Sequence, residues 1–165
     1  MIREISTLFK PVFCQSGFLI CIFLFSSTLS HAAKIVPTVI ISSVEGDVHS
    51  FSLEDELKIS LDSSSVGKKF SPKSILSTGK DGKAGLLFSN GALITIKPGS
   101  RFYLRRYNQK IVTDATVTNP SAMEEEPSNS ELLAHLDFGE LIVKAPKLNK
   151  GSKMVLSSPL GTARI

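Results

Sequence analysis

The segment Ser74–Tyr107 sets the strongest limit on what this chain can fold into. It holds three apolar runs separated by glycine turns: Thr78-Gly79-Lys80-Asp81-Gly82, Asn90-Gly91 and Pro98-Gly99. Asn-Gly between apolar runs favours a tight hairpin, because its backbone needs positive φ at the turn. Lys83–Ser89 and Ala92–Lys97 are therefore expected to pair as antiparallel strands. With a two-residue loop, Leu87 faces Ile94 and Phe88 faces Leu93, leaving both faces apolar near the turn; a longer loop shifts that register by one. A third strand begins at Arg101 after the Pro-Gly turn. Its alternation puts Arg101, Tyr103 and Arg105 on one face and Phe102, Leu104 and Arg106 on the other, in keeping with a solvated edge.

The chain opens with an export-type label. Arg3 and Lys10 give a weakly positive start, offset in part by Glu4, and Gly17–Leu29 is an apolar run of about 13 residues. That length suits a signal-peptide core and falls short of the roughly 20 residues of a membrane span. Ser30-His31-Ala32 places small residues for cleavage between Ala32 and Ala33, so residues 1–32 read as a signal helix that is removed. The competing readings are an uncleaved anchor and a buried core helix. Phe18-Leu19-Ile20 before Cys21 lacks the small residue that precedes a lipidated cysteine.

Cys14 and Cys21 both lie within that label, so the exported chain has no thiol for a disulfide, a zinc site or a nucleophile. Residues 33–165 suffice for one domain. Taking Arg3 and Lys10 from the 19 basic residues and Glu4 from the 15 acidic ones leaves a net charge of +3. That balance concerns solubility and is no nucleic-acid footprint.

The rest reads as short strands and turns. Lys34–Pro37 reads as a linker, and Thr38–Val44 as a strand returning through Glu45-Gly46-Asp47 into Val48–Phe51 as a hairpin. Leu57, Ile59 and Leu61 alternate with Lys58 and Ser60, which favours a strand over a helix capped by Ser52. Asp62–Lys69 is a loop. Residues 113–130 are polar, with the run Glu124-Glu125-Glu126, and read as a flexible, solvated surface excursion. Glu131–Phe138 and Glu140–Lys144 flank Gly139 like a hairpin or a bulged strand, and Lys153–Ser157 is a strand before the Pro159–Gly161 turn. The expected fold is an all-β antiparallel sandwich or jelly roll.

No catalytic constellation, metal motif or cofactor motif emerges. His49 lies near Asp47, and His135 lies two residues before Asp137, but no glycine-framed serine accompanies either. A hydrolase would need one of these histidines close to a serine or carboxylate. A sugar-binding jelly roll would need exposed aromatics, and only Tyr103 and Tyr107 join the phenylalanines. Gly79, Gly82 and Gly85 open a strand rather than a helix, so they form no phosphate cradle.

Taken together, Gly46-Asp47-Val48, Thr78-Gly79-Lys80-Asp81-Gly82, Asn90-Gly91, Pro98, the Gly139-marked pair and Pro159-Leu160-Gly161 resemble the FecR domain. The similarity runs from about Ile40 to Ile165. It implies a non-catalytic binding, scaffolding or signal-receiving module of the periplasm or cell envelope. Another envelope protein or a cell-wall component is the expected partner, with no nucleic acid and no cofactor. Membrane contact is expected only through the label, if that is retained. Family members that regulate iron uptake hold a sigma factor through a cytoplasmic segment before a membrane span, and only a short stretch precedes the apolar run here. The family's closing R-G-T-x-F would follow Ile165, which implies a final strand lost to truncation and an edge left open.

Overall fold

The computed structural model describes residues 33–115 and 119–165; the expected signal helix and Ala32 lie outside the described residues. Thirteen strands follow in order: β1 (Ala33–Ile35), β2 (Val39–Glu45), β3 (Val48–Ser52), β4 (Lys58–Leu61), β5 (Ser74–Thr78), β6 (Lys83–Phe88), β7 (Leu93–Ile96), β8 (Arg101–Gln109), β9 (Val112–Ala115), β10 (Ser130–Phe138), β11 (Leu141–Lys144), β12 (Lys153–Ser158) and β13 (Gly161–Arg164). Seven strands form one sheet in the order β13-β12-β10-β8-β5-β3-β4, and four form another, β11-β7-β6-β2. β1 and β9 make a separate ribbon, so the expected linker at Lys34–Pro37 begins as a strand.

The two large sheets pack face to face as a β-sandwich. Alternation along each strand sends one row of side chains inward. Ile41, Leu86, Phe88, Ile94 and Ile96 come from the smaller sheet, and Val48, Leu76, Phe102, Leu104, Leu132 and Met154 from the larger. Phe88 meets Tyr107 edge to face, with centroids 5.0 Å apart. The sandwich is all-β as expected, but one strand pair is parallel. β10 and β12 run the same way because β11, between them in sequence, crosses to the other sheet and back.

Several local expectations are corrected by the pairing. The Asn90-Gly91 turn is a three-residue loop, Ser89-Asn90-Gly91, with Gly91 at φ +90°. Leu86 therefore faces Ile94, and Leu87 faces Leu93. Leu86 and Phe88 point into the core, while Leu87 and Leu93 lie half-buried on the outside. The physical reason is Asn90, whose side chain turns inward and accepts from the Ala92 N–H at 3.0 Å. The expected hairpin through Gly46 is a crossing instead, since β2 pairs with β6 while β3 pairs with β4 and β5. Gly139 likewise links β10 in one sheet to β11 in the other. β8 lies in the middle of its sheet rather than at an edge. A bulge there turns both Arg105 and Arg106 outward and brings Tyr107 inside.

Candidate functional site

The glycine and proline turns picked out in the sequence sort by position. Four of them carry the chain from one sheet to the other, and the strand directions put all four at the same end. They are Gly46-Asp47, Gly79–Gly82, Pro98-Gly99 and Gly139-Glu140. Gly79 N–H donates to the Asp47 carbonyl at 2.8 Å, and Gly99 N–H to the Gly79 carbonyl at 2.8 Å. The buried Thr78 hydroxyl donates to the Lys97 carbonyl at 2.7 Å and accepts from Ser100 N–H at 2.9 Å. Ser100 accepts from Glu140 N–H at 3.0 Å. A Cβ on Gly82 would overlap the Asp47 carbonyl oxygen. This end is a closed backbone knot, with Asp81 and Pro98 exposed on its surface. Asn90-Gly91 sits at the opposite end, and Pro159–Gly161 forms the β12–β13 turn.

At that opposite end a buried polar chain joins Asn90 to Glu126. Asn90 Nδ2 donates to the Ser130 hydroxyl at 2.9 Å, and that hydroxyl donates to Glu126 Oε2 at 2.7 Å. Glu126 Oε1 accepts from Asn149 N–H at 2.7 Å and from the Ser152 hydroxyl. Its side chain is buried, whereas Glu124 and Glu125 are exposed. The acidic run is thus not a uniformly solvated charge run. Within 113–130, β9 pairs with β1, and Glu126, Ser128 and Ser130 are buried, contrary to a loop with nothing to bury. Beside this chain, burial pushes the Tyr107 phenol up to about 12. Tyr107 accepts from Asn90 N–H at 3.0 Å and donates to Gln109 Oε1 at 3.0 Å.

His49 and His135 lie on the outer face of the seven-stranded sheet. His135 Nδ1 is 2.8 Å from the Ser157 hydroxyl, and its Nε2 is 3.4 Å from Asp137. Asp137 is held in turn by Arg101 Nε at 3.2 Å. His49 Nε2 is 3.0 Å from Asp47. The proximity that a hydrolase would need is therefore present at His135. The serine, however, lies next to the last residue of β12, still paired with His135 of β10 and Thr162 of β13, so its backbone is committed to the ladder. Its hydroxyl also lies 3.1 Å from the Ala134 carbonyl, a ready acceptor. An oxyanion hole requires N–H groups aimed at one point beside the nucleophile, and a paired strand does not offer them. The array joins β8, β10 and β12. Among the described residues no group of three or more His, Cys, Asp or Glu could hold a metal ion. Among the same residues no helix is long and apolar enough to cross a membrane.

The remaining feature is a groove. The larger sheet has seven strands against four, and beside β11 the inner faces of β12 and β13 lie partly uncovered. Leu136, Leu141, Leu156, Leu160 and Ala163 line a cleft of about 400 Å³ there. Met154, deeper on β12, is fully buried, but Leu156 is half-buried and Ala163 exposed. The turn residue Leu160 is 100% exposed and Phe138 57%. The outer edges of β11 and β13 have no strand neighbour among the described residues. Open backbone edges beside apolar side chains are equipped to take up another strand.

Sequence reasoning reached the turns but missed Glu126, Ser157 and the groove. Leu160 between proline and glycine was the one available hint, since a surface turn has no internal use for leucine. Comparison with known protein families, curated proteins and solved structures finds no match. Fold and surface together define the chain as an all-β sandwich with an open, apolar-lined flank.

Proposed function

We propose that this chain is an exported, non-catalytic binding module of the periplasm or cell envelope, FecR-like in kind, that scaffolds or receives a signal from another envelope component. The observation that supports it most is the uncovered apolar flank between β11 and β13, where the exposed Leu160 and the half-buried Leu136, Leu141 and Leu156 stand beside unpaired strand edges. The knot of crossing turns supports the likeness to FecR, because four of the six segments that carry the resemblance pack against one another. The Ser157–His135–Asp137 chain is read as a structural tie for the reasons of backbone commitment given above.

The test is to express the chain in a bacterium with a photo-crosslinking residue at Leu160, which is free of packing. The expected result is a mature N-terminus at Ala33 by mass spectrometry, together with one discrete crosslinked adduct to an envelope component. A chain recovered in the cytoplasm and still beginning at Met1 overturns the reading.

A further inference from the structure

The flank between β11 and β13 has room for a strand, and its chemistry specifies which one. A strand added to the free edge of β11 would continue the four-stranded sheet. At the sheet separation of about 10 Å its inward side chains would then lie over Leu136, Leu156 and Ala163. Those positions call for apolar residues. Outward, β11 presents Ile142 and Lys144, and Glu140 stands just before its first residue; all three are exposed. Neither Glu140 nor Lys144 is in an ion pair among the described residues. Opposite charges directly across an antiparallel pair stabilise it, and like charges destabilise it. The complementary strand therefore carries an acidic residue opposite Lys144, a β-branched one opposite Ile142 and a basic one opposite Glu140.

The geometry points to β11 as the acceptor edge for an extended segment of another polypeptide. That segment runs antiparallel to β11 and reads acidic–apolar–β-branched–apolar–basic from its N-terminus. This rests on the binding-module reading and names its partner chemistry. A second copy of this chain is also complementary in charge, since Glu140 would face Lys144 of its twin. Sterics oppose that pairing: each copy carries β12 and β13 beyond β11, and the two overhangs would occupy the same space. A single strand meets no such obstacle, and main-chain hydrogen bonds to the edge would supply affinity while the side chains set register.

The experiment uses the full chain and two fluorescein-labelled, end-capped peptides, Thr-Glu-Val-Thr-Val-Lys-Thr and its charge-swapped twin Thr-Lys-Val-Thr-Val-Glu-Thr, which have identical composition. Fluorescence anisotropy should show the first binding about tenfold more tightly than the second, from two cross-strand charge pairs changing sign. The double variant Glu140→Lys with Lys144→Glu, both exposed changes, should invert the preference. N-methylation of the peptide amides that face β11 should abolish binding. Equal affinities, no binding by either peptide, or sedimentation showing a dimer that excludes both would overturn the proposal. An envelope crosslink with no peptide binding would also overturn it, while leaving the wider binding role intact on another face.

Discussion

Glu126 is a carboxylate withdrawn from water and held by neutral donors from three places in the chain: Ser130, Asn149 and Ser152. Removing its charge while keeping its shape turns one accepting oxygen into a donor. Glu126→Gln should thus lower stability by about 2–3 kcal/mol, read as a shift of the urea midpoint at unchanged slope. Glu125→Gln, on the exposed pair with Lys147, should cost under about 1 kcal/mol. Tyr107 gives a second test. Its folded pKa of about 12 stands above the unfolded value near 10, so the folded state keeps a proton that the unfolded state loses. Its contribution is complete below pH 10 and fades between pH 10 and 12. Urea midpoints across that range should fall more steeply for the natural chain than for Tyr107→Phe; parallel curves would remove the phenol from the account. Neither role was legible beforehand. Three successive glutamates look alike in sequence, and only packing of 149–152 against 126–130 selects the third.

At the level of elements, placement was legible and connection was not. The strand positions follow from alternation and glycine spacing, and β5 to β8 fall within a residue or two of their expected places. Which sheet each strand joins depends on partners far along the chain. A turn such as Glu45-Gly46-Asp47 has the same local chemistry whether it closes a hairpin or crosses the core. What marks a crossing turn is close approach between turns, and that is testable at two glycines. Gly82→Ala drives a methyl into the Asp47 carbonyl and should cost about 2 kcal/mol or more. Gly99 has φ +64° but open space around it, so Gly99→Ala meets only backbone strain, about 1 kcal/mol. Thermal melts of the two variants should rank in that order. The reverse order would mean that the turns do not interlock.

The sandwich is lopsided among the described residues, and that follows from counting strands: seven cannot be covered by four. On the β2 side residues 67–70 bond back to Val39 and Ile41 and close that strand edge, although Leu57 and Ile59 stay exposed beside a smaller cleft of about 260 Å³. On the β11 side Ala145 and Leu148 pack against the core but leave Leu156 half-buried and β13 exposed, so stability should fall off toward β13. Local opening governs amide exchange, and segments with few buried contacts open first. β13 has one neighbouring strand and four exposed residues, whereas β8 and β10 each have two neighbours and carry fully buried side chains. Hydrogen exchange followed by mass spectrometry should therefore show β13 amides exchanging at least about 100-fold faster than those of β8 and β10. Addition of the acidic-to-basic peptide should slow exchange at β11 first, because a strand entering the groove takes up that edge directly, and at β13 only through the shared apolar floor. Equal protection of β13 and β8 in the chain alone would mean that the flank is already covered in solution, and the groove would lose its claim to be a receiving site.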